Sequence, residues 1–265
     1  MRWSHFNFES NGTGQEEAYR FRGFPAAFSA DVVRPHPVIP DQFYFLAGKA
    51  LFLQARSSVP IPIAEQVETF GIAGSHLYFV TKNGFFVESG LDGHDTKLLG
   101  RKGLFLSEET PPRLVVSPSG AVLVLDSAGG LFLYRPGQDV ELGLVGGNAS
   151  GLDFSDRGDR MIFWNGGELW VYWLTDNPAQ PFDLAGTKKK IFSGEALIHN
   201  AVLDRDGTHI IIAADAGIRM AEIDDRGGVN EHTLVGQPAR SFSFEAKTAT
   251  LYWVAESQLR SAALK

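Results

Sequence analysis

The sequence predicts an all-β fold, a single six-bladed β-propeller, and three observations support this prediction. Short apolar runs occur in pairs along the chain. The first run of each pair is almost entirely apolar, which is typical of a strand covered on both faces. Successive pairs begin 34, 46, 38, 49 and 41 residues apart, which is the length of one four-stranded blade. Within each pair the second run begins eight residues after the first, as in a hairpin: Phe43 and Leu51, Leu77 and Phe85, Leu123 and Leu131, Met161 and Leu169, Ile210 and Ile218, Leu251 and Leu259.

The elements of one blade are clearest in the fourth repeat. Residues 152–155 (Leu-Asp-Phe-Ser) and the apolar-rich runs at 161–164 and 169–172 predict three strands, and the segments 156–159 and 165–167 predict the turns between them. Gly and Asn in these turns supply the positive φ that short hairpin loops require. Fourth strands have a weaker pattern, for example at 97–99 and 140–144.

The ends of the chain are predicted to complete one ring. The last repeat has its third strand at 259–262 and few residues beyond it, so we expect residues 1–8, which alternate in polarity, to supply its fourth strand. Such pairing removes an open sheet edge. Residues 9–20 are polar, so residues 9–25 are predicted to form a loop. Residues 26–265 are predicted to form the blades, the first beginning with a strand at 26–29. The whole chain, 1–265, is therefore expected to be one domain.

Composition excludes several classes of function. The net charge of −7 argues against nucleic acid as a partner, because phosphate binding requires a basic face. The one basic run, at 188–190, is expected to lie in a solvated loop. The chain has no cysteine, which excludes thiolate catalysis and cysteine-ligated zinc. No signal peptide and no apolar stretch long enough to span a membrane are recognised, so a cytoplasmic location without membrane contact is expected.

No motif for a metal, a cofactor or catalysis is recognised. The seven histidines are scattered singly, without the spacing of metal ligands. Residues 204–207 begin like a calcium loop, but their glycine is at the fourth position and not at the sixth, where such a loop requires it. The glycine-rich segment 146–151 precedes a strand, whereas a phosphate-binding loop precedes a helix. We therefore expect no cofactor and predict no metal ligand or catalytic residue.

Polar residues are predicted to surround one mouth of the central channel. In a propeller, the turn between the second and third strands and the connection between blades lie on the same face. The predicted binding residues on this face are Asn83, Asp126, Asn165, Asp215 and Glu256 from the turns, and Asn148, His199, Asn200, Gln237 and Arg240 from the connections. Asn and Asp are also common in such turns for backbone reasons alone. Because Asp126 and Asp215 lie in turns, their replacement by alanine is expected to change stability little.

A second contact is predicted in the first blade. Residues 31–40 contain three prolines, which favour a stiff, extended arm between the first and second strands. Insertions on a rigid scaffold often carry function. Arg34 and His36 are therefore predicted to contact a partner.

Short motifs resemble two propeller families. Residues 154–158 (Phe-Ser-Asp-Arg-Gly) and 116–120 (Val-Ser-Pro-Ser-Gly) resemble the turn of TolB-like and WD40-like repeats. Residues 251–254 (Leu-Tyr-Trp-Val) and 77–80 (Leu-Tyr-Phe-Val), the latter with the Leu-Asp-Gly segment at 91–93, are similar to YWTD propellers. Both resemblances imply a six-bladed ring. The Thr-Asp that ends a true YWTD motif is replaced at both positions, so receptor function does not follow.

Three functions remain open from the sequence. The first is a non-catalytic module that binds a protein or peptide through the polar face and the arm. The second is a metal-dependent hydrolase of the lactonase type, which requires several carboxylates to converge on the channel. The third is a module for a sugar or another small ligand, which would use aromatic side chains such as Trp164 and Trp170, although these are expected to pack between blades. The first is favoured, because no catalytic motif is assembled.

Overall fold

The computed structural model describes residues 30–55, 58–100, 103–178, 182–204, 206–224, 226, 230–239, 242–245, 248–255 and 258–264. In these residues the secondary structure is entirely β, with no helix. The first sheet contains β1 (Val32–Pro35), β2 (Gln42–Ala47), β3 (Ala50–Ala55) and β4 (Ile61–Glu65). The second contains β5 (Val67–Ala73), β6 (His76–Thr81), β7 (Phe86–Gly90) and β8 (Lys97–Leu98). The third contains β9 (Arg113–Val116), β10 (Val122–Leu125), β11 (Leu131–Tyr134) and β12 (Gly143–Gly146).

The other three sheets follow the same plan. The fourth contains β13 (Gly151–Phe154), β14 (Arg160–Asn165), β15 (Glu168–Trp173) and β16 (Lys188–Ser193). The fifth contains β17 (Ile198–Leu203), β18 (His209–Ala214), β19 (Gly217–Glu222) and β20 (Glu231–Val235). The sixth contains β21 (Phe242–Glu245), β22 (Thr250–Ala255) and β23 (Gln258–Ala263). Each sheet is antiparallel, with its strands in sequence order, so the prediction of an all-β propeller with six blades is confirmed.

The paired apolar runs are the second and third strands of each sheet. In the first sheet Leu46 pairs with Leu51, and in the fifth Ala213 pairs with Ile218. The eight-residue spacing is therefore one strand and its hairpin turn.

The core lies between consecutive sheets, in five separate buried clusters. Successive residues of a central strand face different neighbours: in β10, Val122 and Val124 pack with the second sheet, whereas Leu123 and Leu125 pack with the fourth. Side chains of a strand alternate between its two faces. Because both faces are covered by other sheets, every residue of β10 is apolar.

Two aromatic residues named in the sugar-binding hypothesis belong to this packing. Trp164 is buried in the cluster between the fourth and fifth sheets. Trp170 packs on the cluster between the third and fourth sheets and stacks on Phe163, with 6.4 Å between ring centroids. The expectation that they lie between blades is met, and neither presents an open aromatic platform.

The basic run lies in a strand, so its assignment to a loop was wrong. Residues 188–190 are the first half of β16, the outer strand of the fourth sheet. The ammonium groups of Lys188 and Lys190 each lie 5.2 Å from the centre of the Trp170 ring, and Lys190 also pairs with Glu168 at 2.8 Å. Lysine side chains can cover apolar surface while their charge stays in water. Charge on an outer strand also discourages pairing with another chain.

The predicted arm is also partly a strand. Val32–Pro35 form β1, with Arg34 opposite Tyr44, so this part of 31–40 is the first strand of the sheet and not an insertion. The error arose because the sequence pattern placed the first strand at 26–29, which lies outside the described residues.

Two turn glycines are required by a close approach of backbone. A β carbon on Gly167 or Gly217 would collide with the carbonyl oxygen of Gly194 or Val235, respectively, in the chain that leaves the same sheet. Gly217 also has a φ of 124°, which side chains disfavour. Glycine is therefore required at these positions both by the turn geometry that the sequence indicated and by the close packing of each turn against the neighbouring segment.

The predicted closing strand, 1–8, and the predicted loop, 9–25, lie outside the described residues, so closure of the ring by the amino terminus stays a prediction. The sixth sheet has three described strands, and Val254 and Leu259 on it are 55% and 74% exposed. Within the described ranges, no helix is long and apolar enough to cross a membrane.

Candidate functional site

The turns between second and third strands, together with the connections between sheets, form one face, here called the hairpin face. Backbone hydrogen bonds join each turn to the connection beside it. The N–H of Leu104 donates to Gly84 O at 2.7 Å, that of Ala149 to Gly129 O at 2.9 Å, and that of Ile198 to Gly166 O at 2.7 Å. The turns and connections are therefore side by side and firmly held.

Asp126 is a structural residue of this face. It is only 7% exposed, and its carboxylate accepts backbone N–H bonds from Phe105 at 3.2 Å, Ala128 at 3.0 Å and Gly130 at 2.7 Å. These bonds close its own turn and attach the connection between the second and third sheets. Asp126 therefore positions the face, and its oxygens are engaged with the backbone.

His199 and Asp215 are brought together, with His199 Nε2 at 2.6 Å from Asp215 Oδ1. His199 is the extra residue of a β-bulge between Ile198 and Asn200 at the start of β17. A bulge redirects a side chain, and here it aims the imidazole at the neighbouring turn. The Asp215 side chain is 62% exposed, so this polar pair is accessible from the hairpin face.

The other predicted residues are spread along the face. Asn83 is exposed in a turn and Asn148 in a connection, Asn165 ends β14 opposite Glu168, and the Asn200 side chain lies 3.5 Å from Phe242 O in the sixth sheet. Arg240 and Glu256 lie outside the described residues. In the part of the chain that the structure describes, no group of three or more histidine, aspartate or glutamate side chains could hold a metal ion.

Two phenylalanines on this face were not predicted. Phe85 is 40% exposed in the turn of the second sheet, and Phe105 is 60% exposed in the connection that follows this sheet. Phe105 is held on both sides of its peptide, because its N–H donates to Asp126 and its carbonyl accepts from Ser127 N at 3.0 Å. The sequence pattern placed Phe85 at the start of the third strand of its blade and gave Phe105 no element, so neither was a candidate.

A cavity of about 650 Å³ opens on the same face beside the second sheet. Its lining includes Lys49, Glu65, Glu68, Lys82 and Glu108. Lys49 and Glu68 form an ion pair across it. The hairpin face therefore offers exposed apolar rings next to a charged recess.

The predicted arm residues lie on the other side of the sheets. His36 follows β1 in the turn between first and second strands, and consecutive strands run in opposite directions, so this turn is at the end opposite the hairpin face. His36 Nδ1 accepts the N–H bonds of Val38 at 3.1 Å and Ile39 at 2.9 Å, and its ring stacks on Tyr44 at 5.5 Å. Burial lowers the pKa of His36. The structure does not bring this turn together with the polar turns.

One partly buried carboxyl lies on an innermost strand. The first strands of neighbouring sheets lie against one another, β5 on β9 and β13 on β17, and Asp153 belongs to β13. Burial raises the pKa of Asp153 to about 6, with a smaller contribution from the charge of Asp156.

Because the folded protein favours the neutral form of Asp153, the contribution of this group to stability is fully present below the ordinary pKa of 3.8 and is lost as pH rises through about 6. The variant Asp153→Asn stays neutral at every pH. It should be more stable than the natural chain by about 2 kcal/mol well above pH 6, and this gain should shrink at lower pH. Urea unfolding across this range tests the prediction. A gain independent of pH would contradict it, and exposed Glu141→Gln serves as the control.

Comparison with known proteins supports the fold alone. No family model and no curated protein matches the chain. Among solved structures, Hsv2 of Kluyveromyces lactis has a TM-score of 0.52 at 15% identity, over 83% of this chain and 70% of that one. YCF48 bound to D1 peptide has a TM-score of 0.51 at 12% identity, over 90% and 79% of the two chains. Both are distant in sequence and similar in architecture.

Proposed function

We propose that this chain is a non-catalytic interaction propeller that binds a protein or peptide through the hairpin face. The observation that carries the proposal is the pair of exposed rings, Phe85 in a turn and Phe105 in a connection, which backbone hydrogen bonds hold in place. Aromatic side chains contribute much of the binding energy in protein interfaces. A rigid loop loses little entropy on binding, which favours affinity.

The neighbouring cavity and polar pair add specificity. Lys82 and Glu108 at the cavity, and His199 with Asp215 across the face, can bind the polar groups of a peptide around an apolar anchor. A propeller of similar architecture, YCF48, has been solved with a peptide, which supports this use of the fold.

The lactonase alternative finds less support in the described residues. Metal-assisted hydrolysis needs carboxylates that converge on one ion. The oxygens of Asp126 are engaged with three backbone N–H groups, and Asp215 pairs with a histidine.

The proposal also includes the type of propeller, the location of the protein and a second contact. The short motifs favour a TolB-like or YWTD-like ring that forms one domain over 1–265, and composition favours a cytoplasmic protein. Arg34 and His36 are proposed as a second contact on the opposite face, where Val38 and Ile39 in the same turn are 74% and 45% exposed.

A peptide-display selection on the purified protein tests the proposal. We expect enriched peptides whose binding, measured by fluorescence anisotropy with the synthetic peptide, weakens about tenfold or more in Phe105→Ala. Phe182→Ala is the matched control, because Phe182 is 72% exposed but lies in the turn between third and fourth strands of the fourth sheet. Its effect should be small.

Two outcomes would overturn the proposal. One is that selected peptides bind equally well to the natural chain and to Phe85→Ala and Phe105→Ala. The other is calcium- or zinc-dependent lactone opening that is lost in Asp215→Ala, because only the hydrolase alternative requires this carboxylate for turnover.

A further inference from the structure

The turn between the first and second strands of the first sheet is closed by a histidine side chain. His36 Nδ1 accepts the N–H of Val38 at 3.1 Å and that of Ile39 at 2.9 Å, and the backbone N–H of His36 donates to Gln42 O at 2.8 Å. Asparagine and aspartate side chains commonly accept the N–H groups two and three residues further on in this way. Here an imidazole nitrogen takes the place of the side-chain oxygen, and this nitrogen can be protonated.

Both hydrogen bonds require the neutral ring. Nδ1 accepts only while it carries a lone pair, so the proton of the neutral His36 ring is on Nε2. A second proton converts Nδ1 into a donor, and this donor faces the N–H groups of Val38 and Ile39. Protonation therefore removes both hydrogen bonds at once.

The surroundings of the ring favour its neutral form. His36 stacks on Tyr44, with 5.5 Å between ring centroids, and the Tyr44 hydroxyl donates to Leu91 O at 2.8 Å in the second sheet. Burial lowers the pKa of His36 from its ordinary value of 6.5. The contribution of His36 to stability is therefore fully present above pH 6.5 and is lost as pH falls through the lower pKa of the folded state.

Other titratable and charged groups lie on the elements around this turn. Arg34 is two residues before His36, Asp41 is in the same turn, and burial raises the pKa of Tyr44 to about 12, so its hydroxyl stays neutral. The neighbouring turns of the second sheet carry His76, Asp92, His94 and Asp95. The carboxylates favour a protonated ring and Arg34 opposes one, but burial is the cause that sets the direction of the His36 pKa.

The turn displays apolar side chains to solvent. Val38 is 74% and Ile39 is 45% exposed, and Val59, in the turn between third and fourth strands at the same end of this sheet, is 77% exposed. The N–H groups of Val38 and Ile39 are the two that bind His36. The arrangement of these side chains therefore depends directly on the state of the ring.

We infer that His36 is a pH-dependent switch for this turn. The neutral ring holds Val38 and Ile39 in place, and the protonated ring releases them. The second contact with a partner would then form near neutral pH and weaken in acid. This consequence rests on the proposed function, whereas the switch itself does not.

Nuclear magnetic resonance of the full chain, labelled with nitrogen-15 and carbon-13 and without a partner, tests the switch. The pH is lowered from 8 to 5, the range in which histidine side chains change charge. The ring signals of His36 should titrate with a midpoint below 6.5. The amide proton signals of Val38 and Ile39 should move upfield with the same midpoint, because both lose their hydrogen bond to the ring.

Two variants separate the switch from other effects of pH. His36→Asn supplies a side-chain oxygen that accepts the same two N–H groups at every pH, so the amide signals of Val38 and Ile39 should no longer respond. His232→Gln removes an exposed histidine on the outer strand of the fifth sheet and should leave the response unchanged.

Three results would overturn the inference. The His36 ring could stay neutral down to pH 5, the amide signals could stay fixed while the ring titrates, or they could respond equally in His36→Asn. All three are read without a partner, so they are independent of whether either face binds a protein. A working switch in a chain that binds no peptide would contradict the proposed function alone.

Discussion

Replacement of Asp126 by alanine should destabilise the protein by roughly 3 kcal/mol, because three backbone N–H groups lose their acceptor in a largely buried turn. This reverses the expectation from its turn position, which suggested little effect. The midpoint of urea unfolding gives the measurement. Asp215→Ala, in the equivalent turn of the fifth sheet but with a 62% exposed side chain, is the control and should cost much less.

The conservative variant refines this test. Asp126→Asn retains an oxygen for Ala128 and Gly130, both of which donate to Oδ1, but loses the acceptor for the N–H of Phe105. Its stability should be intermediate, and any peptide that binds through Phe105 should bind it more weakly. Equal stability of Asp126→Ala and the natural chain would show that water replaces the carboxylate.

Removal of residues 1–8 should destabilise the whole ring by roughly 3 to 5 kcal/mol, if Trp3 and Phe6 pack against the sixth sheet as the alternation predicts. Loss of a closing strand would also leave a sheet edge open, which promotes association. The melting temperature and the oligomeric state of the truncated chain are the measurements.

Trp3→Ala with Phe6→Ala separates packing from backbone pairing, since it keeps the strand. The double variant should account for much of the loss. An unchanged melting temperature in the truncated chain would show that the amino terminus does not close the ring.

Much of the fold was predictable because burial of the central strand constrains the sequence locally, and this constraint is repeated in every sheet. Each central strand is covered on both faces, so runs such as 122–125 contain only apolar residues, and their spacing directly reports the hairpin. Strands at the outer edge were harder to identify. The lysine run at 188–190 appeared polar enough for a loop, although Lys188 and Lys190 lie over the ring of Trp170 on the neighbouring strand.

The sequence predicted where the turn residues of the candidate site lie but not what each of them does. Turn residues such as Asp126 and Asp215 were assigned to one face from strand order, and the backbone bonds between turns and connections show that these lie side by side. Composition could not distinguish the engaged carboxylate of Asp126 from the accessible one of Asp215. The exposure of Phe105 was also hidden, because an irregular connection has no periodicity that reports which side chains are buried.

The sequence by itself determined the strand pairs, the number of sheets and the face on which the turns lie, since these depend on periodicity along the chain. Only the tertiary structure decided which polar side chains accept hydrogen bonds from the backbone and which remain accessible at the surface. These roles depend on contacts between segments far apart in sequence, such as Phe105 with Asp126, or Arg160 with Gly207.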